Sequence, residues 1–366
     1  MRRRILGPFL LFALVAGLTA FALIVPDWHL PVRGYQVSEA GPSLVQFEQT
    51  AQPQVHALNT TPPPLPPPEP ETTPATQVYQ NVKVLTDTDA GQFIRLQHAI
   101  TAWVSPKQGC GFCHEAQNYA SDAKPAKQAA RTMLRMVRGI NTAWQNHVGQ
   151  AGVTCWTCHR GQPVPAQLWF PRPPKAPRDM IAKQEDWNEE ATTVHKFFPA
   201  ASWDLYLRGE TSGSGQAYTA LPSRTAPPQI VTKRVYEVMM QMSDEIGVNC
   251  GYCHNSRAFF DWKESTPARW VGYYGIQMTR ALNRNVLEPL ATTIPQVRDE
   301  RYHSFIPVLP PRDRGLQAGN GFVICGTCHY GLPKPTRIPD ALDTFPTLRK
   351  PDPLLNPTPA SAPGPG

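Results

Sequence analysis

Every cysteine in this chain sits in one arrangement, two cysteines three apart with a histidine directly behind the second. It occurs four times: Cys110, Cys113 and His114 in CGFCH; Cys155, Cys158 and His159 in CWTCH; Cys250, Cys253 and His254 in CGYCH; Cys325, Cys328 and His329 in CGTCH. A Cys-x-x-Cys pair alone serves zinc sites, redox disulfides and haem attachment alike. Zinc takes four nitrogen or sulfur ligands but has no reason to demand a histidine behind every pair. A disulfide exchanger has no such need either. A c-type haem uses all three residues: each thiol adds to a vinyl group, and the histidine turns a ring nitrogen onto the iron. A chance Cys-x-x-Cys-His is expected on the order of 0.01 times in a chain this long. Four copies therefore predict four covalently bound c-type haems.

The elements that must position them can be read around the motifs. Sites one and three share C-G-[FY]-C-H, and sites two and four share C-x-T-C-H-x-G-x-P-x-P. The segments between also echo each other, MVRGIN (Met136 to Asn141) against MTRALN (Met278 to Asn283). This predicts a duplicated two-haem unit, with halves at about 77–175 and 229–348. The boundary falls in the proline-rich stretch near Pro163 to Pro177 or in the loop around Gly209 to Pro228. Sites three and four are 75 residues apart against 45 for sites one and two, so the second half carries an insertion.

Electron-transfer haems take a sixth ligand, methionine or histidine, that sets their potential. Before site two, RTMLRMVRGINTAWQNHV places Met133, Met136/Val137, Ile140, Trp144 and His147 on one helical stripe. A methionine on such a stripe is ordinarily core filler, but here the stripe has haem to face. One continuous helix would set Met133 and His147 on the same side roughly 20 Å apart, within reach of two different irons. Aligning Met136 with Met278 puts Gly275 opposite Met133. The second half thus lacks that ligand, and haem four is left to His147 from the first half or to Met278. Before site three, a helix with Val235, Met239, Met242 and Ile246 along one side offers Met239 or Met242 to haem three.

The N-terminus is three arginines followed by an uncharged apolar run, Ile5 to Val25. At 1.5 Å per residue it spans roughly 30 Å, enough for a bilayer core, and the arginines hold its start in the cytoplasm. Residues 1–26 are expected as a retained membrane anchor. The competing reading is a cleaved signal, since Ala20-Phe21-Ala22 resembles a peptidase site. Residues 27–76 contain TPPPLPPPEPETTP, eight prolines in fourteen residues, an extended spacer rather than packed structure. Residues 77–348 form the haem-bearing domain, and the proline-rich tail 349–366 is expected to be disordered. The formal charge of +7 includes the three N-terminal arginines. Four haems, each with two propionates, would offset all of the remainder even with ferric iron, and no basic run resembles a nucleic-acid stripe.

Several stretches carry a closer resemblance: RLQHAITAWVSPKQGCGFCH, RTMLRMVRGINTAWQNHVGQAGVTCWTCHRGQPVP, VMMQMSDEIGVNCGYCHNSR and STPARWVGYYGIQMTRALN. Over nearly all of residues 77–340 the chain resembles the tetrahaem cytochrome c subunit of the purple-bacterial photosynthetic reaction centre. The resemblance implies a mainly α multihaem cytochrome on the periplasmic side of the photosynthetic membrane. Its expected neighbours are the reaction-centre L and M subunits and the associated light-harvesting complex. A soluble cytochrome c or a high-potential iron–sulfur protein would be its donor, and the photo-oxidised special pair its acceptor. It implies Met133 for haem two, Met239 rather than Met242 for haem three, and His147 as the distal ligand of a bis-histidine haem four. One position departs. Where the family has R-L-M before the first haem, this chain has Arg95-Leu96-Gln97 followed by His98. Gln97 shares a face with Phe93, Ile100 and Val104 but is a weak iron ligand. His98 is the stronger ligand, turned by about 100° on an ideal helix. The expected role is electron transfer rather than enzymatic catalysis; the rival is a periplasmic multihaem oxidoreductase with an open haem one.

Overall fold

The computed structural model describes residues 13–19, 21, 33–36, 45–48, 59–67, 71–169, 204–209, 229–290 and 321–352. The candidate boundary loop, the insertion before site four and the tail beyond 352 lie largely or wholly outside these residues. The chain divides into two compact units, Met1–His56 and Ala57–Gly366. In the first, residues 13–19 and 21 are helical, with Leu14, Val15, Leu18 and Phe21 exposed. Strands β1 (Arg33–Gln36) and β2 (Val45–Glu48) pair antiparallel. Among the described residues no helix is long and apolar enough to cross a membrane. Most of the Ile5–Val25 run lies outside them.

The second unit is mainly helical. Helix α1 (Ala90–Val104) starts where the Asp89 carboxylate accepts the Gln92 amide N–H at 2.7 Å, an N-cap. Helices α2 (Pro125–Ala143) and α6 (Pro267–Leu282) each open on a proline, whose fixed φ suits the first turn and whose missing N–H costs nothing there. Between them come α3 (Gln145–Val148), α4 (Cys155–His159) and α5 (Gln229–Glu245). The second half continues through α7 (Cys325–His329) and α8 (Ala341–Thr344) to a 3-10 turn at Pro346–Arg349. Among the described residues of this unit, sheet is limited to two-residue strands: β3 (Leu168–Trp169), which follows site two, pairs antiparallel with β4 (Phe322–Val323), which precedes site four.

The expected continuous helix from Met133 to His147 is not found. α2 ends at Ala143, Trp144 leaves the helical region at φ −117° and ψ 31°, and α3 begins beyond it. The turn buries the Trp144 indole in the core at 7% exposure. Met133 and His147 therefore lie on separate helices.

One apolar core draws on the whole second unit. Leu96, Trp103, Leu134, Ile140 and Trp156 meet Met278, Leu282, Phe322 and Val323 in it. Leu342, Phe345 and Leu348 join from the C-terminal segment, with Phe345 edge-on to Trp103. That segment is pinned back onto the first half, since Arg138 donates to the Thr347 hydroxyl and pairs with Asp87 at 2.7 Å. The proline-rich stretch expected as a free spacer also lies partly on this body. Leu65 packs against the core, and Arg95 of α1 donates to the carbonyls of Leu65 and Pro66. The reason is the single leucine in the run, which gives an otherwise solvated segment something to bury.

Two asparagines at matching positions do equivalent work. Asn141, closing MVRGIN, donates to the Val153 carbonyl (3.0 Å) and accepts the Val153 N–H (2.7 Å). Asn283, closing MTRALN, makes the same pair with Val323, at 3.0 and 2.8 Å. Each fixes the strand-like residue that leads into a Cys-x-x-Cys-His turn.

Candidate haem attachment and ligand sites

The four motifs adopt two local structures, divided as their sequences divide. At sites one and three the cysteines lie on 3-10 turns, Gly109–Phe112 and Cys250–Tyr252. The His114 and His254 N–H groups bond the first cysteine's carbonyl, each at 2.9 Å. At sites two and four the five residues form α4 and α7. There the threonine between the cysteines caps its own turn: the Thr157 hydroxyl accepts the Thr154 N–H and the Thr327 hydroxyl accepts the Ile324 N–H, both at 3.0 Å. The next two residues are left-handed, Arg160 and Gly161 at site two (φ 50° and 77°), Tyr330 and Gly331 at site four (φ 49° and 76°). Glycine tolerates this conformation without strain, which explains the T and G of C-x-T-C-H-x-G.

All four histidines are held the same way. Each Nδ1–H faces a backbone carbonyl, His114 that of Tyr119 (3.0 Å), His159 that of Gln162 (2.9 Å), His254 that of Phe259 (2.8 Å) and His329 that of Leu332 (2.8 Å). A carbonyl only accepts, so the proton is fixed on Nδ1 and Nε2 carries the free lone pair a metal needs. Burial holds the His159 and His254 pKa values below the ordinary range, and burial with the neighbouring His147 takes His329 to about 4. In these three the shift favours the neutral imidazole that a ligand must be. Burial also pushes the Cys155 thiol up to about 12 and raises Cys325 and Cys253. Among the described residues no three His, Cys, Asp or Glu side chains converge as a metal ion's own ligand set would. The donor set fits haem.

His147 is brought to site four. It lies on α3, yet its Nδ1–H donates to the Val271 carbonyl on α6 at 2.8 Å. Its ring centre lies 6.0 Å from that of His329. Two imidazoles on opposite sides of one metal, with bonds of about 2.0 Å, have ring centres roughly 6 Å apart. Burial lowers the His147 pKa as well. Met278, the rival, is buried in the core instead. Met133 packs at the edge of that core, half-buried, while Met136 is buried within it. Met239 packs with Tyr206, Leu207 and Val238 in a second apolar cluster, and Met240 beside it is exposed.

At site one the α1 face settles orientation. Leu96 and Ala99 are fully buried, and His98 is exposed. Gln97 is half-buried, and Thr101, one turn on, bonds its carbonyl. The Thr101 hydroxyl lies 3.9 Å from the Cys110 sulfur. The Gln97–Thr101 side therefore faces the site-one motif and His98 does not.

Three features escaped the sequence reading. Arg160 and Tyr330, at matching positions behind their histidines, cross over: Tyr330 Oη donates to the Cys158 carbonyl (2.7 Å) and Arg160 Nη2 to the Cys328 carbonyl (3.3 Å). Arg160 also stacks between Trp156 and Tyr330, 3.7 and 4.8 Å from their ring centres. The Cys158 and Cys328 sulfurs meet at 2.8 Å. Glu245, buried at the end of α5, accepts the Gly326 N–H at 3.0 Å, and burial raises its carboxyl to about 7. The seat of His147 against α6 is the third. Their only sequence signal was the shared register of the two halves.

The family of photosynthetic reaction centre cytochrome C subunits matches residues 31–349. The photosynthetic reaction center cytochrome c subunit of Rubrivivax gelatinosus is 38% identical over 291 residues, covering 79% of this chain and 73% of that one. That of Thermochromatium tepidum is 37% identical over 279 residues, 75% of this chain and 65% of its own. That of Roseobacter denitrificans is 31% identical over 290 residues, 75% and 73%. With four Cys-x-x-Cys-His motifs built for haem and relatives of this kind along most of its length, the chain belongs to the photosynthetic reaction centre cytochrome c subunit family, whose members are electron-transfer subunits.

Proposed function

We propose that the chain carries electrons from a soluble periplasmic donor, a small cytochrome c or a high-potential iron–sulfur protein, through four c-type haems to the photo-oxidised special pair. Each haem, when bound, supplies an iron that gains and loses one electron. The protein's own residues do the rest. Cys110 and Cys113, Cys155 and Cys158, Cys250 and Cys253, and Cys325 and Cys328 would hold the four groups covalently. His114, His159, His254 and His329 would supply the proximal nitrogens, and Met133, Met239 and His147 the sixth ligands of haems two, three and four. The observation that carries this reading is the shared Nδ1-to-carbonyl bond, which leaves Nε2 free on all four imidazoles.

The paired asparagine bonds and the matched 3-10 and α-helical motif types support two pseudo-repeated dihaem halves. The arginine-led apolar run supports an N-terminal anchor with the domain on the periplasmic side, and membership of the family supports the L and M subunits and the light-harvesting complex as its neighbours there. The test is a flash on membranes containing the complex. Haem α-band absorbance should bleach as the special pair is re-reduced, and a flash that leaves the haem reduced while the pair recovers would overturn the assignment.

Haem one is the departure from pattern, and the position of Thr101 between the Gln97 carbonyl and the Cys110 sulfur supports Gln97 over His98 on its ligand side. His98→Ala should leave every haem spectrum unchanged, because that side chain points to solvent. Gln97→Met should convert one haem to a His/Met spectrum and abolish carbon monoxide binding by the reduced protein. An altered spectrum in His98→Ala would return the ligand to His98. Carbon monoxide binding with substrate turnover would favour the oxidoreductase alternative.

A further inference from the structure

α6 carries a glycine where the equivalent helix of the first half carries a ligand. Counting from the opening prolines, Pro125 and Pro267, Met133 and Gly275 hold the same register position, as do Asn141 and Asn283. A Cβ on Gly275 would lie 2.5 Å from His147 Cε1, 2.8 Å from Nδ1 and 3.1 Å from Nε2. No real Cβ approaches another atom at the first two distances, and the neighbour here is a ring already held by a hydrogen bond through Nδ1. One turn earlier on α6, the Val271 carbonyl accepts from that ring's Nδ1 at 2.8 Å. Backbone of α6 therefore both fixes the imidazole's tautomer and lies flat beside its carbons.

We infer that Gly275 is a positioning residue for haem four: the bare backbone at 275, with the Val271 carbonyl, forms the seat that lets a histidine of the first half ligate the iron of the second. This rests on the reading of His147 as distal ligand. The duplication then reads as an exchange at one register position. In the first half the side chain at 133 reaches an iron, and in the second its complete removal makes room for a ring from elsewhere. Alanine is enough to close the seat.

The experiment compares Gly275→Ala with Gly272→Ala in the holo subunit. Both changes raise helix propensity equally, but a Cβ at 272 meets nothing within 4 Å. Gly272→Ala should keep the wild-type low-spin EPR signals and midpoint potentials. Gly275→Ala should lose the bis-histidine signal of one haem in four and shift that haem's potential alone. A Gly275→Ala protein indistinguishable from Gly272→Ala overturns the inference while leaving His147 a ligand. His147→Met with unchanged spectra overturns the ligand reading itself. If Gly275→Ala does not accumulate, His147→Gly removes the crowding, and free imidazole can be titrated into it. Imidazole should restore the bis-imidazole signal in His147→Gly and bind at least tenfold more weakly in His147→Gly/Gly275→Ala. Equal affinity in the two overturns the seat.

Discussion

Replacing His147 with methionine converts one haem from bis-histidine to His/Met coordination and raises its midpoint potential, leaving the other three unchanged. The ring being replaced is 6.0 Å from His329, centre to centre, and its Nδ1–H is held by the Val271 carbonyl. That bond makes the imidazole a stronger electron donor to a metal on Nε2, which favours the ferric state. A thioether has no N–H to be polarised and favours the ferrous state. The expected rise is on the order of 0.1–0.2 V, within the roughly 0.8 V that axial ligands span. Redox titration with EPR measures it. Spectra identical to wild type would return the role to Met278, which is buried in the core.

The second large effect is on stability. Asn141→Ala removes a side chain only 3% exposed that donates to the carbonyls of Val153 and Leu348, at 3.0 and 2.9 Å, and accepts the Val153 N–H at 2.7 Å. Three backbone groups are left buried without partners. At about 1–3 kcal/mol each, with partial relaxation, the loss should total about 3–5 kcal/mol. Asn283→Ala should cost a similar amount, since Asn283 is fully buried and holds the Leu207 and Val323 carbonyls and the Val323 N–H. The two differ in what comes loose. Only Asn141 holds Leu348, so Asn141→Ala should expose the C-terminal segment to protease before global unfolding, and Asn283→Ala should not. Denaturation midpoints and limited proteolysis of the holo protein check both, and a drop below about 1 kcal/mol for either would show its bonds are replaced by water.

What the sequence disclosed was whatever chemistry constrains locally. Cys-x-x-Cys-His needs three residue types at fixed spacing, so its four copies could be read directly. The α2 stripe was legible because its period is regular, and the pairing of Met278 with Met136 set the register that put Gly275 opposite Met133. The break at Trp144 was not legible, since Trp144 fits the stripe and its departure from helical backbone is set by the core that buries it. Nor was the orientation of α1 at site one, where Gln97 and His98 are adjacent and only burial of Leu96 and Ala99 decides which faces inward. The Arg160–Tyr330 crossover and the seat for His147 join residues more than 120 positions apart. No local pattern announces such contacts.

The meeting of α4 and α7 has a consequence for biosynthesis. In the folded chain Cys155 is 7% exposed, the Cys158 and Cys328 sulfurs face each other at 2.8 Å, and Arg160 and Tyr330 close the joint around them. Of the eight cysteines Cys155 is the buried one and Cys250 the exposed one, and the other six are partly covered. An attachment enzyme must reach both thiols and the histidine of a motif at once, which α4 and α7 permit only while they are apart. Attachment at sites two and four is therefore expected to precede the docking of α4 on α7 that the Arg160 and Tyr330 bonds hold.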